Sequence, residues 1–271
     1  MNADVRRLKG SAIEGTESTM TEDRLARLRQ VLIKLPRDFQ WGWVEHANHT
    51  PVRRLTKRAA NKFMLACILD YQMNADQAWE NARRLAEDVF GDPVDLWDRI
   101  GRVSEAQWLR RRQSYRWLHR FPAAHYRVWR IGRLLQDQYG GDAREIWRGQ
   151  SAEEAHRRLL DLGVGTQLSR MTVGALLDSR HVVGAIDVKA DSNVCRVLGR
   201  LVAGRTFRPK EATDTARRMS PRNPWRLDAP LFFLGRDACT ASPRCTDCSV
   251  KDLCTFATRQ QHGRSRTRHG V

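Results

Sequence analysis

Six cysteines occur in this 271-residue chain, and four of them, Cys239, Cys245, Cys248 and Cys254, follow the spacing C-x5-C-x2-C-x5-C. Four thiolates in so short a stretch can close on one compact centre. The set suits a [4Fe-4S] cluster held by four cysteine ligands. A zinc ribbon separates two C-x2-C knuckles by a long arm that is missing here, so zinc and free thiols are the weaker assignments. Arg236, Arg244 and Lys251 lie close to the ligands in sequence, where they can offset a cluster's negative charge or reach phosphates.

Two further stretches carry functional residue types. Leu162-Gly163-Val164-Gly165 reads as a tight turn between helices. Its glycines permit turn geometry and close approach of a ligand, so amides opening the next helix can face a phosphate; otherwise the turn is a connector. Asp191 precedes the apolar stripe Val194, Val197, Leu198, Leu201 and Val202, the position of a helix N-cap. Between Trp108 and Arg133, arginines alternate with aromatic residues, a mixture suited to phosphate contact and stacking on bases, although most such aromatics are core.

The elements that must position these groups read as helices. Stripes at three-and-four spacing run through Leu25, Leu28, Leu32 and Leu35, through Ala60, Phe63, Met64, Cys67, Ile68 and Tyr71, and through Val128, Ile131 and Leu135. Asn74 with Gln77, Ser104 with Gln107 and Ser151 with Glu154 mark helix starts of the reciprocal capping kind. Alternating β-branched segments are nearly missing, apart from HVVGAIDV. An all-α protein of about ten helices follows. Lys and Arg number 48 against 31 Asp and Glu, a net charge of +17 that attracts a polyanion. No apolar run approaches the ~18 residues of a membrane helix, and the first residues have no signal-peptide stretch, so a cytoplasmic protein without a membrane partner is expected.

The cysteine segment LFFLGRDACTASPRCTDCSVKDLC resembles the C-terminal cluster loop of endonuclease III and the adenine-mismatch glycosylases. The likeness includes the apolar lead-in, Gly235-Arg236, Pro243-Arg244 and Asp252-Leu253-Cys254, with a first interval of x5 where the family has x6. LLDLGVGTQLSRMTVGALL resembles the same family's helix-hairpin-helix, L-P-G-V-G-x-K, with Leu162 in place of proline. IDVKADSNVCRVLGRL resembles the segment that carries the catalytic aspartate, matched by Asp191, with Asp187 as rival. ILDYQMNADQA resembles the first barrel helix, with Gln72 where a glutamine probes the opened base stack, and HYRVWRIGRLLQDQYG resembles the helix before the hairpin. The matches cover about residues 60–256, most strongly at the C-terminal end.

The resemblance implies a two-lobed helical DNA glycosylase of base excision repair. The expected lobes are residues 58–175, ending in the hairpin, and residues 23–57 with 176–258, carrying the [4Fe-4S] loop, between a flexible N-terminus (1–22) and a basic tail (259–271). A damaged, mismatched or modified base of double-stranded DNA would be flipped into the interlobe cleft of a monomer. Leu162, Gly163, Val164, Gly165 and Gln72 would contact DNA, with Gly163 and Gly165 offering amides to a phosphate. Asp191 would stabilise the positive charge that develops as the glycosidic bond breaks. Gln167 occupies the position where bifunctional members carry a lysine, so no Schiff base can form there and base removal should stop at the abasic site. Cys67 replaces the glutamate of adenine-specific members; Asp70 is a candidate base-reading acid or a solvated helix residue. The alternatives are a non-catalytic iron-sulfur DNA-binding protein and a bifunctional lyase that borrows Lys189.

Overall fold

The computed structural model describes residues 21–35 and 55–260. Among them are eleven α-helices and no sheet: α1 (Glu22–Leu32), α2 (Lys57–Leu69), α3 (Ala75–Arg84), α4 (Leu96–Gly101), α5 (Glu105–Arg111), α6 (Pro122–Tyr139), α7 (Ala152–Asp161), α8 (Thr166–Asp178), α9 (Ser192–Ala203), α10 (Pro209–Met219) and α11 (Asp228–Asp237). The HVVGAIDV segment contributes one isolated bridge, Ser151 to Val183. No helix among the described residues is long and apolar enough to cross a membrane. The expected N-terminal segment lies outside the described residues up to 20, and so does the tail from 261; residues 259 and 260 still belong to a final helical stretch.

Local chemistry explains the helix starts. Ser104 and Gln107 form a complete reciprocal capping box at α5, Ser104 Oγ accepting from the Gln107 amide and Gln107 Oε1 accepting from the Ser104 amide. Asn74 and Ser151 cap α3 and α7 from one side only, because Gln77 bonds Asn81 and Glu154 bonds Arg157 and Arg158.

Two apolar clusters form the interior. The first takes buried residues from Leu55 through Ile186; the second joins Leu25, Leu28 and Leu32 of α1 to residues from Val188 through Ala257. The change of core therefore falls between Ile186 and Val188, beyond the expected boundary at 175/176. That boundary would cut α8, whose Val173, Ala175 and Leu176 all pack into the first core. One residue crosses over: the indole of Trp225 lies against Gly174 so closely that a Cβ there would collide with the ring, and its Nε1 donates to Asp178 Oδ2 at 3.0 Å. The segment between the cores, residues 187–191, is where the candidate catalytic residues sit.

Candidate active site

The hairpin joins α7 to α8 through a Schellman closure. Gly163, at φ +80°, donates to Leu160 O at 2.8 Å, and Val164 donates to Leu159 O at 2.9 Å. This corrects the expectation for Gly163, whose amide is already spent inside the turn. Leu162 and Val164 are likewise core residues by their side chains, at 0% and 2% exposure, so neither presents an apolar side chain to DNA. What the turn offers instead is its exit: Gly165 is exposed at the N-cap of α8, and no hydrogen bond among the described residues uses the amides of Gly165, Thr166 or Gln167. The Arg130 guanidinium lies over Gly163, its Nη2 3.5 Å from Leu162 O, and adds a cation beside those amides.

Asp191 is the N-cap of α9. Its Oδ1 accepts from the amides of Asn193 and Val194 at 2.9 and 3.0 Å, while no hydrogen bond among the described residues uses Oδ2. The capping bonds fix the carboxylate's orientation and leave one oxygen for chemistry. Asp187 is committed elsewhere, to Arg170 at 2.9 Å and Arg217 at 2.8 Å.

Around Asp191 the fold gathers a charged group that the sequence separates widely. Lys189 Nζ lies 2.9 Å from Asp70 Oδ2, and the Lys189 amide donates to Asp228 Oδ1 at 2.6 Å. Asp70, the C-cap of α2, is thus no solvated helix residue, and its pairing joins the two cores. Burial alone would lower the pKa of Lys189, but Asp70, then Asp191 and Asp228, outweigh it and hold the ammonium above its ordinary value. Burial, with Asp191 nearby, pushes the Asp228 carboxyl up to about 8. Asp70 and Lys189 thus form a compensated pair, and Asp228 keeps its proton to a higher pH than an ordinary carboxyl. Cys67 is fully buried close by, its thiol pushed by burial up to about 12, so it supplies no acid.

Gln167 is half-buried, and its Oε1 has no hydrogen-bond partner among the described residues. Gln72 is exposed in the left-handed region, φ 49°, on the turn after α2, two residues from Asp70. Sequence reasoning missed Asp228, which reads as an ordinary acid ahead of an apolar helix. Arg130 lay in the arginine-aromatic stretch singled out above, but sequence reasoning also missed Arg196 and Arg200. These two, four residues apart on α9, grip the cysteine loop: Arg196 Nε donates to Cys239 O at 2.7 Å, and Arg200 Nη1 donates to Thr240 O at 2.6 Å. Their i, i+4 spacing behind Asp191 was the available signal.

Cys239, Cys245, Cys248 and Cys254 are free thiols lining one cavity, walled by Val197, Leu201, Leu234 and Val250. Four thiols are the donor set a cubane takes, but as placed no three of them converge on one metal position among the described residues. The shortened first interval is accommodated: Cys239 starts the loop directly after α11, its amide bonding Leu234 O. Arg236 and Arg244 turn to Asp237, and Lys251 to Thr246 O, so these cations brace the loop.

No family model matches the chain. Endonuclease III of Thermotoga maritima is 30% identical over 145 residues, covering 52% of this chain and 61% of that relative, less than two thirds of its length. Among solved structures, a non-covalent endonuclease III-DNA complex aligns with TM-score 0.63 at 19% identity, over 90% of this chain and 99% of that one. A trapped endonuclease III-DNA covalent intermediate aligns with TM-score 0.62 at 18% identity, covering 89% and 99%. The chain has the endonuclease III-like fold. A thermostable thymine-DNA glycosylase shares this endonuclease III-like fold, with TM-score 0.58 at 14% identity over 88% of this chain and 98% of that one.

Proposed function

We propose that this protein is a monofunctional DNA N-glycosylase of base excision repair. The observation that carries the reading is Asp191, held by two backbone amides at the meeting of the two cores with an oxygen unspent, beside a lysine already neutralised by Asp70. The names of its relatives, endonuclease III and thymine-DNA glycosylase, support the same class. In this reading a phosphate of double-stranded DNA rests on the free amides of Gly165 and Thr166 and on Arg130, while Gln72 enters the base stack. The flipped nucleotide then meets Asp191, whose carboxylate stabilises the cationic sugar as the base departs and orients the attacking water. Compensation of Lys189 by Asp70 matters here, because a bare ammonium would oppose that developing cation.

Monofunctional outcome is supported by both candidate nucleophiles. Gln167 has no amine, and Lys189 is held as an ammonium by its acidic neighbours. The four cysteines would hold a [4Fe-4S] cluster as a structural clasp on the loop that α9 carries. The assay is a panel of lesion and mismatch duplexes incubated with the anaerobically purified protein. Base release with strand cleavage only after alkali is the expected result, and Gln167→Lys should add borohydride-trappable complex. Efficient cleavage without alkali by the wild type overturns the monofunctional assignment, and duplex binding with no base release across the panel favours the binding protein.

A further inference from the structure

A cavity of about 300 Å3 opens beside the turn that carries Gln72, within the arginine-rich stretch between Trp108 and Arg133. Its walls hold Arg112, Gln113, Arg116, His119, Arg120 and His125. The three arginines are exposed and form no ion pair among the described residues; Arg116 only donates to Gln113 Oε1 at 2.7 Å, and Arg120 stacks on Phe121. Three guanidinium groups around one opening without a carboxylate form a site for an oxyanion, and arginine's forked donors match phosphate geometry.

The two histidines give an independent observation. His119 is satisfied at both nitrogens: Nε2 bonds Tyr71 O at 2.8 Å and Nδ1 accepts the Phe121 amide at 3.0 Å. His125, 2% exposed, uses Nε2 on His119 O at 2.8 Å, and its buried Nδ1 has no hydrogen-bond partner among the described residues. His125 itself lines the cavity that these arginines ring.

We propose that this cavity is a phosphate-binding subsite, formed by Arg112, Arg116 and Arg120 with His125 at its wall. Resting on the function proposed above, its source is a backbone phosphodiester of the DNA that flanks the cleft. The His119 bond to Tyr71 O places the subsite one residue from both Asp70 and Gln72, against the turn that would enter the base stack. A phosphodiester has no proton to give, so His125 Nδ1 must acquire one to donate to it. In the empty cavity burial, then His119 and Arg112, hold the imidazole below its ordinary pKa. Arg116 and Arg120 face it from the same cavity, and the Trp108 indole, bonded to His125 O, closes the α5 side. An incoming anion reverses this balance, so phosphate binding takes up a proton.

The test has two arms. In the first, binding of an undamaged duplex is followed by fluorescence anisotropy across a salt series for the wild type, for Arg112→Gln/Arg116→Gln/Arg120→Gln, and for Arg102→Gln, an exposed arginine paired with Asp98 outside the cavity. The triple variant should lose about 0.9 from the salt slope for each phosphate contact removed, and Arg102→Gln should keep the full slope. In the second, inorganic phosphate is titrated by calorimetry in two buffers of different ionisation enthalpy. Saturable binding with proton uptake, lost in the triple variant and in His125→Gln, is expected. Because His125 is buried, the exposed arginines keep the test decisive if His125→Gln fails to fold. An unchanged salt slope together with absent phosphate binding overturns the subsite. Phosphate binding that duplex DNA does not compete away overturns the backbone as its source. Failure to bind any duplex overturns the proposed function, while the calorimetry still decides the cavity.

Discussion

The charges at the seam between the cores and the arginines from Arg110 to Arg133 are handled in opposite ways. At the seam, Asp191 apart, charge meets its opposite: Lys189 bonds Asp70, and Asp187 bonds Arg170 and Arg217, with side chains of Lys189, Asp70, Arg170 and Asp187 exposed by no more than 18%. Along the other stretch Arg112, Arg116, Arg120, Arg127, Arg130 and Arg133 form no ion pair among the described residues, and several lie over aromatic rings, as Arg127 lies over Tyr71 at 4.9 Å. Paired charges in a low-dielectric seam hold geometry, because separating them is costly. Cations without a counter-charge, whatever ring or carbonyl they touch, keep a charge available to a polyanion.

The sharpest way to break this contrast is Asp191→Asn, which retains capping ability but removes the seam's uncompensated charge. Base release at saturating duplex should fall by about three powers of ten, with the affinity for DNA nearly unchanged. Full activity in single-turnover assays would move the catalytic assignment away from Asp191. The arginine stretch responds to a different lever. If six or more contacts neutralise phosphates, duplex affinity should drop about 1,000-fold between 50 and 200 mM salt, while thermal unfolding of the free protein moves little. A flat binding response would mean that these cations serve solubility alone.

Asp70→Asn sharpens the seam side. It leaves the Lys189 ammonium without its nearest counter-charge, at a cost of about 3 kcal/mol measured by denaturant unfolding. The lysine's pKa should fall, since the burial that lowers it is then less opposed. More borohydride-trappable complex should follow, and an unchanged stability would deny that the pair is a working contact. The effect of Asp228→Asn appears only with pH. With a folded pKa of about 8 against an ordinary 3.8, the carboxyl costs stability as pH rises, because the unfolded chain ionises through that window before the folded one does. Wild-type stability should therefore decline between pH 5 and 8 by about 3–4 kcal/mol more than that of the variant, whose amide keeps an oxygen for the Lys189 N–H.

The helices, the capping box at Ser104 and the thiol ring were legible because each depends on neighbours in sequence. Asp191 and Gln167 were legible through the motifs they sit in. The bond between Lys189 and Asp70 was not, as 119 positions separate the partners and neither belongs to a spacing rule. For the same reason Asp228 read as an isolated acid. The hairpin was read with one amide too many: a G-x-G pattern marks the turn, but only the closing bonds reveal that Gly163 spends its N–H on Leu160. The cavity beside His125 combines residues from the end of α5, the following turn and the start of α6, and composition alone registers only their excess of arginine.

The crossing of Trp225 into the first core bears on the order in which the protein can be completed during synthesis. Residues 55–186 reach the end of the ribosomal tunnel before the indole that fills their core beside Gly174, so that core is left with a gap until the chain has grown well past residue 225. The wait at the other end is longer. Arg24 of α1 donates to Leu253 O, 229 positions away, and Leu25, Leu28 and Leu32 find their packing partners only from Val188 onward. The earliest of the described helices is therefore docked last, and a nascent chain halted before the cysteine loop carries the exposed leucine stripe of α1, a ready target for chaperones.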